Sequence, residues 1–86
     1  MKIIFHKNFE KQYKKLSRNT QIKMHEINIL FEKDRYNPIL NNHALREKYS
    51  GYRSINLTGN TRIIYKMLDD NNVLFVLIGT HSKLYS

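Results

Sequence analysis

The chain has 86 residues and no cysteine, which excludes disulfides, iron–sulfur clusters and thiol nucleophiles. Its 15 Lys and Arg residues against seven Asp and Glu give a formal net charge of +8, which favours polyanionic partners, with nucleic acid first. An anionic membrane surface, an acidic protein partner and a purely solubilising charge excess stay open at this point. The length predicts one domain over residues 1–86.

No stretch of the sequence has the features of a signal peptide or a membrane span. The apolar start, Ile3–Phe5, is too short for the hydrophobic region of a signal peptide. No run approaches the roughly 18–20 apolar residues that a transmembrane helix needs. We therefore expect a cytoplasmic protein without membrane contact, and the lack of cysteine fits a reducing compartment.

A first strand followed by a first helix is predicted at the amino terminus. The alternation of Lys2–His6 is typical of a strand, and Asn8 is a suitable cap for the helix that follows. The apolar positions of that helix recur at helical spacing at Phe9, Tyr13 and Leu16. Lysines surround this stripe, which is usual for a solvated helix surface.

A second helix is predicted from Asn19 or Thr20 to about residue 35. Its main apolar side carries Met24, Ile27, Leu30 and Phe31. Ile22 and Ile29 lie nearly opposite, and we expect them to pack on the first helix, with a docked partner as the alternative. Pro38 ends the helical region because it lacks an N–H and restricts the residue before it.

The second half of the chain predicts four strands: His43–Tyr49, Tyr52–Thr58, Thr61–Leu68 and Val73–Ile78. The first of these has a weak pattern typical of an edge strand, whereas Val73–Ile78 is apolar on both faces and should lie inside the sheet. His81–Ser86 is predicted to form about one helical turn. The order β-α-α-β-β-β-β indicates an α+β fold in which two N-terminal helices pack on a mainly antiparallel sheet.

Two helices cover only one face of such a sheet, so the other face is available for a site. Strand alternation puts Ser54 and Asn56 beside Arg62 and Lys66 on one surface. Cations beside small hydrogen-bonding groups suit a phosphodiester, because they stabilise charge that develops on phosphoryl oxygens.

Histidines are the side chains best matched to proton transfer near neutral pH. His43 and His81 flank the predicted strands, whose ends converge in some antiparallel sheets, whereas His6 and His25 are expected to be ordinary surface or packing residues. No cluster has metal-ligand spacing and no Gly-rich phosphate loop is present, so we expect no metal and no cofactor. A metal-free nuclease is reasonable for RNA, because the 2′-hydroxyl of RNA is itself a nucleophile.

Four segments resemble the RelE/ParE superfamily of toxins from bacterial type II toxin–antitoxin systems: Asn42–Leu45, Gly51–Asn56, Arg62–Lys66 and Gly79–Tyr85. The closest resemblance is to the YafQ-like branch of mRNA interferases, and Gly79–Tyr85 is its most specific part. The resemblance implies a RelE-like fold and a metal-independent endoribonuclease that cleaves mRNA on the ribosome through 2′-hydroxyl attack. It also implies a cognate antitoxin protein that masks the site, so the expected partners are this antitoxin, mRNA and the ribosome.

The resemblance also suggests roles for residues of this chain. The predicted catalytic residues are His81, His43 and Arg62. Both histidines match histidines of the YafQ-like branch, and the arginine matches a charge-stabilising arginine of the RelE branch. The predicted substrate-binding residues are Lys48, Tyr52, Arg53, Asn56, Asn60 and Tyr85. The two tyrosines are expected to stack a base, and the lysine or Arg53 to assist at the scissile phosphate.

Two positions depart from the YafQ-like pattern. Asn56 replaces a catalytic histidine and Asn60 replaces an acidic residue, and an amide serves as neither general base nor general acid. These asparagines are expected to orient substrate. A toxin with weak or lost cleavage is the alternative reading.

Two further functions remain as alternatives to the nuclease. One is a ParE-like toxin that inhibits DNA gyrase by binding, and the other is a basic RNA-binding protein that cuts nothing. A nuclease stops translation first, whereas a gyrase inhibitor stops replication first. The antitoxin is expected to lie along an exposed patch as a helix or to extend a sheet edge, with Ile22 and Ile29 as candidate contacts.

Overall fold

The computed structural model describes residues 1–85 and has the predicted α+β architecture. In chain order its elements are β1 (Lys2–Phe5), α1 (Lys7–Lys14), α2 (Arg18–Lys33), β2 (His43–Ala44), β3 (Arg53–Asn56), β4 (Thr61–Met67), β5 (Asn72–Thr80) and α3 (His81–Leu84). Two short 3-10 turns, Pro38–Leu40 and Glu47–Tyr49, flank β2. Within the described chain, no helix combines the length and apolar character needed to cross a membrane.

The N-terminal caps of α1 and α2 differ from the predicted ones. The backbone N–H of Asn8 donates to Nδ1 of His6 at 3.0 Å, so the histidine caps α1. The backbone N–H of Thr20 donates to Oγ of Ser17 at 3.2 Å, so the serine caps α2. Both caps precede the predicted positions because a capping residue keeps an extended backbone, with ψ 150° at His6 and 155° at Ser17.

The strands form one five-stranded sheet in the order β1-β5-β4-β3-β2. Within residues 1–85, β1 pairs in parallel with β5 and the other pairs are antiparallel, which confirms the mainly antiparallel prediction. The strand β5 lies inside the sheet, as its apolar sequence indicates. The predicted edge strand His43–Tyr49 shrinks to the two residues of β2, because Glu47 takes a positive φ of 57° and starts a 3-10 turn.

The helices α1 and α2 bury their apolar residues against one face of the sheet. The core on this face includes Phe9, Met24, Ile27, Phe31, Ile55, Ile63, Tyr65, Val73 and Phe75. The ring of Phe31 meets those of Tyr65 and Phe75 edge-on, with centroids 5.0 and 5.4 Å away. Such edge-to-face contacts stabilise a core beyond the apolar area that they bury.

The second apolar patch of α2 stays on the surface. Ile22 is 49% exposed and Ile29 is 59% exposed, so the predicted packing of these residues on α1 is wrong. The apolar stripe that begins in α1 is already engaged, since Phe9 belongs to the core and Tyr13 and Leu16 pack against it. The two isoleucines therefore remain an exposed apolar patch on α2.

Candidate active site

The sheet face that turns away from α1 and α2 carries a groove of about 320 Å³ with both polar and apolar lining residues. In the strand register His43 faces Ser54, and Asn56 faces Arg62. The groove is lined by Asn41, His43, Leu45, Ser54, Arg62, His81 and Tyr85. The three residues predicted to be catalytic thus come together from β2, β4 and α3, with Tyr85 beside them.

The imidazole of His43 is oriented by the backbone that precedes it. Its Nδ1 lies 2.8 Å from the carbonyl oxygen of Asn41. A carbonyl oxygen only accepts, so Nδ1 carries the proton and Nε2 of the neutral ring keeps a lone pair. Asn41 adopts a left-handed backbone with φ 47°, a conformation that asparagine tolerates better than most residues. This turn therefore prepares Nε2 to accept a proton.

The side chain of His81 is placed by the attachment of α3 to the sheet. The backbone N–H of His81 donates to the carbonyl oxygen of Asn60 at 2.9 Å, which joins the start of α3 to the β3–β4 hairpin. Leu84 is buried, and its carbonyl oxygen accepts from the hydroxyl of Tyr49 at 2.9 Å. The rings of His81 and Tyr85 lie 4.6 Å apart. The histidine itself is exposed to solvent, so it is accessible for proton transfer.

Arg62 is held by carbonyl oxygens rather than by a carboxylate. Its Nη1 donates to the backbone oxygens of Thr58 at 3.0 Å, Gly59 at 3.2 Å and Thr61 at 3.2 Å. No carboxylate within residues 1–85 forms an ion pair with this guanidinium. The hairpin thus orients the cation without neutralising its charge, and the remaining N–H groups are available to a phosphate.

Two oxygens on this face of β3 are buried and have no hydrogen-bond partner. They are Oγ of Ser54, a residue with 0% exposure, and Oδ1 of Asn56. A buried polar group without a partner costs roughly 1–3 kcal/mol. Folding stability therefore does not explain these two buried oxygens.

Lys48 and Tyr52, both predicted to bind substrate, lie near the groove without lining it. The rings of Tyr52, Tyr49 and Tyr85 form a row, with centroid distances of 6.4 and 5.8 Å along it. The Nζ of Lys66 lies 5.5 Å from the Tyr52 ring, and that of Lys48 lies 5.3 Å from the Tyr49 ring. These side chains extend a basic and aromatic surface outward from Tyr85.

Arg53 does not reach the groove, because its side chain points to the opposite side of β3 from that of Ser54. Its Nε donates to Oδ1 of Asn42 at 2.8 Å. The predicted help from Arg53 at a groove-bound phosphate therefore has no geometric support. Alternation along the strand already separates these neighbouring side chains.

Asn56 and Asn60 also lie outside the lining of the groove. Asn56 sits opposite Arg62 in the strand pair. Asn60 is an exposed turn residue whose Oδ1 accepts from the hydroxyls of Thr58 at 3.4 Å and Thr61 at 3.3 Å. Its clearest connection to the groove is the backbone carbonyl that holds His81.

Sequence reasoning missed Asn41 and Leu45 as groove residues and named Ser54 only as a polar residue of the open face. The role of Asn41 is carried by its backbone carbonyl, which a pattern of side chains does not reveal. The signal for Ser54 was present, because strand alternation put it beside Asn56 and Arg62.

A larger cavity of about 430 Å³ lies between α1, α2 and β1. It is lined by Phe5, Phe9, Glu10, Tyr13, Lys14, Met24, His25 and Asn28. The Nε2 of His25 lies 3.5 Å from the hydroxyl of Tyr13, a packing contact of the kind expected for this histidine. None of the predicted catalytic residues lines this mainly apolar cavity, so the smaller groove is the candidate active site.

The family model described as "Bacterial toxin of type II toxin-antitoxin system, YafQ" matches residues 1–86. The chain belongs to the YafQ toxin family. It is a toxin of a type II toxin–antitoxin system, as the resemblance implied. The comparison with curated protein sequences gives no significant match.

Solved structures share this fold over nearly the whole chain. The crystal structure of YafQ from E. coli has a TM-score of 0.84 at 21% identity, covering 99% of this chain and 98% of that one. A copper-bound mutant toxin from Helicobacter pylori has a TM-score of 0.81 at 24% identity, covering 99% of each chain. The structure of the E. coli DinJ-YafQ toxin–antitoxin complex has a TM-score of 0.80 at 21% identity, covering 99% of this chain and 97% of that one. These similarities confirm the RelE-like fold.

Proposed function

We propose that this YafQ-family toxin is an endoribonuclease that cleaves mRNA in the groove of His43, Arg62 and His81. The supporting observation is that these three side chains, from three separate elements, line one groove. Two imidazoles and a guanidinium that has no carboxylate partner within residues 1–85 supply a base, an acid and charge stabilisation. RNA cleavage by its own 2′-hydroxyl needs these groups.

In the proposed reaction His43 is the general base. Its Nε2 takes the proton of the 2′-hydroxyl, and the 2′-oxygen forms a bond to the adjacent phosphorus. The bond from phosphorus to the 5′-oxygen breaks, and His81 donates a proton to that leaving oxygen. The products are a 2′,3′-cyclic phosphate and a 5′-hydroxyl, with the proton gained by one histidine balancing the proton lost by the other.

Arg62 stabilises the negative charge that develops on the phosphoryl oxygens during this step. Its three bonds to carbonyl oxygens fix the guanidinium before substrate arrives, which lowers the reorganisation needed in the transition state. The half-buried ring of Tyr85 lies in the groove, where a base of the substrate would stack on it.

The replacements at Asn56 and Asn60 leave this chemistry intact. One proton is taken up and one is delivered, so His43 and His81 are sufficient for both transfers. Neither asparagine lines the groove, and Asn60 contributes through the backbone bond that positions His81.

Cleavage on the ribosome and inhibition by an antitoxin complete the proposal. The net charge of +8 supports binding to ribosomal RNA. The E. coli relative forms a complex with its antitoxin DinJ, and we propose an acidic antitoxin for this chain, with exposed Ile22 and Ile29 among its contacts.

Substituting both isoleucines with Ser should weaken antitoxin binding while leaving the fold intact. An unchanged affinity would remove these residues from the interface.

The direct test is cleavage of mRNA on programmed ribosomes by the wild type, His81→Ala and Arg62→Ala. Loss of the histidine should slow cleavage by about 10²–10⁴-fold. Loss of the arginine should slow it by about 10²–10³-fold, as for other stabilisers of a developing oxyanion. Lys11→Gln is the control, because it removes one exposed charge from α1, away from the groove.

Undiminished cleavage by both variants would place the active site elsewhere. If the folded wild type cuts nothing on or off the ribosome, the nuclease proposal fails. A binding function, directed at DNA gyrase or RNA, would then be tested through replication and RNA affinity.

A further inference from the structure

A second basic feature lies on the other side of β3 from the groove. Tyr36 is 58% exposed, and its ring lies close to two guanidinium groups. The Cζ of Arg35 is 5.3 Å and that of Arg53 is 5.5 Å from the ring centroid. We call Arg35, Tyr36 and Arg53 the Tyr36 patch.

The guanidinium groups of the Tyr36 patch have no carboxylate partner within residues 1–85. No ion pair joins Arg35 or Arg53 to a carboxylate anywhere in the described part of the chain. An exposed aromatic ring between unneutralised arginines offers a flat π surface and charge at one place. Bases stack on tyrosine rings and on guanidinium planes, and phosphates bind the charge.

The Tyr36 patch is held in place by the side chain of Asn42. Its Oδ1 accepts from Nε of Arg53 at 2.8 Å, and its Nδ2 lies 2.8 Å from the carbonyl oxygen of Arg35. The same Nδ2 donates to the hydroxyl of buried Tyr65 at 2.6 Å. The bond to Nε orients the Arg53 side chain before any ligand arrives, which reduces the entropy lost on binding. Asn42 anchors Arg35 only at its backbone, and Nη1 of Arg35 lies 3.9 Å from Sδ of Met67.

The Tyr36 patch and the groove share the β2–β3 strand pair. Asn42 directly precedes His43, and Arg53 directly precedes Ser54, so adjacent residues serve opposite sides of the same strands. The edge strand β2 has two residues, both exposed. A single strand that leaves the groove therefore crosses only this short edge to reach the Tyr36 patch.

We propose that the Tyr36 patch binds single-stranded RNA that flanks the segment in the groove, with a base on the Tyr36–arginine surface and phosphates on Arg35 and Arg53. This inference takes the identity of the ligand from the proposed function. A combined aromatic and guanidinium surface fits nucleotides better than an acidic peptide, because a carboxylate uses the charge alone. Continuity with the groove across β2 also favours one RNA chain as the occupant.

The test uses fluorescent 2′-O-methyl RNA, which the groove is unable to cleave because the 2′-hydroxyl is blocked. Affinities are measured by anisotropy for a short probe of about three nucleotides and a long probe of about twelve, lengths chosen around the few nucleotides that one such binding site covers. The variants are Tyr36→Ala, Tyr36→Phe and Arg35→Gln, with Lys11→Gln as the charge-matched control. Thermal melting checks that each variant folds.

Tyr36→Ala should lower the affinity for the long probe about tenfold, because one base loses its stacking contact with the ring. The affinity for the short probe should stay unchanged. Tyr36→Phe should restore most of the affinity because it keeps the ring. Arg35→Gln should weaken the long probe and lower its salt dependence by about one phosphate contact.

Equal effects of Tyr36→Ala on both probes, or no effect on either, would overturn the proposal. It would also be overturned if the substitutions weakened binding of a polyglutamate peptide but left the RNA affinity unchanged. Because the probe is not cleaved, binding through the Tyr36 patch by a toxin that cuts nothing would sustain this inference while refuting the nuclease. If the toxin cleaves mRNA but Tyr36→Ala binds the long probe with normal affinity, the nuclease proposal stands and this inference fails.

Discussion

The two faces of β3 and β4 differ in how their polar atoms are satisfied. On the helix-covered face Ile55 and Ile63 are fully buried, and the hydroxyl of Tyr65 is bonded to Asn42. On the groove face Ser54 and Asn56 bury oxygens without partners. The same two strands therefore carry one face with a bonded hydroxyl in the core and one face on which two buried oxygens contribute no hydrogen bond to the fold.

This contrast locates function more sharply than charge alone. Lysines and arginines are spread over the whole chain, whereas two of the three buried side-chain oxygens without a partner in residues 1–85 lie on the groove face of β3. The third, Oδ1 of Asn28, lies on α2 beside the larger cavity. Natural proteins keep such costs mainly where a ligand or a reaction uses them. Substitutions on the two faces should accordingly separate stability from activity.

The largest effect on stability is expected from Phe31→Ala on the helix-covered face. This fully buried ring contacts two other aromatic rings, and its loss should lower the free energy of unfolding by about 3–5 kcal/mol. Tyr85→Ala is the matched groove substitution and should cost much less, because Tyr85 is only half-buried. Urea unfolding of both variants measures the difference, and equal losses would contradict the contrast.

A smaller loss is expected from Tyr65→Phe, which removes a bonded hydroxyl and should cost about 1 kcal/mol. Burial raises the pKa of Tyr65 above its ordinary value of 10.0. As pH rises, the Tyr65 hydroxyl therefore loses its proton at a lower pH in the unfolded chain than in the folded one. Its contribution to the free energy of unfolding is complete below about pH 10 and is lost as pH rises through the raised pKa. The free energy of unfolding, measured from neutral to alkaline pH, should fall less steeply with pH in Tyr65→Phe than in the wild type. An identical slope in the two proteins would refute this assignment.

The smallest effect is expected from Ser54→Ala, and it should not be a loss. The hydroxyl has no partner, so its removal should leave stability unchanged or raise it by up to about 1 kcal/mol. Ser17→Ala is the matched control, because that hydroxyl caps α2 and its loss should cost about 1 kcal/mol. A Ser54→Ala protein that is clearly less stable would mean that the hydroxyl has a partner in solution.

Sequence patterns predicted the fold and the groove face well, because strand alternation and helical spacing are regular. Alternation alone placed Ser54 with Asn56 and Arg62, and the resemblance supplied His43 and His81. Sequence patterns gave the wrong length for the edge strand, because Glu47 takes a positive φ that ends β2 early and no side-chain pattern indicates it. They also missed contacts made by carbonyl groups and by residues far apart in the chain.

The position of Arg53 is an example of such a long-range effect. Its charge and its place in the Gly51–Asn56 segment suggested a role at the scissile phosphate. The structure instead bonds it to Asn42, which also contacts Tyr65, 23 residues further along the chain. That network is not visible in any local pattern, and it turns the arginine toward Tyr36.

The central claim is that the groove uses the 2′-hydroxyl of RNA as nucleophile, and one substrate change tests it directly. An mRNA is first mapped for its cleavage position on ribosomes, and a single 2′-deoxy nucleotide is then placed 5′ of the scissile phosphate. The account predicts that cleavage at that position disappears while other positions are still cut, and that the unmodified products end in a 2′,3′-cyclic phosphate. Cleavage that persists at the deoxy position would contradict it.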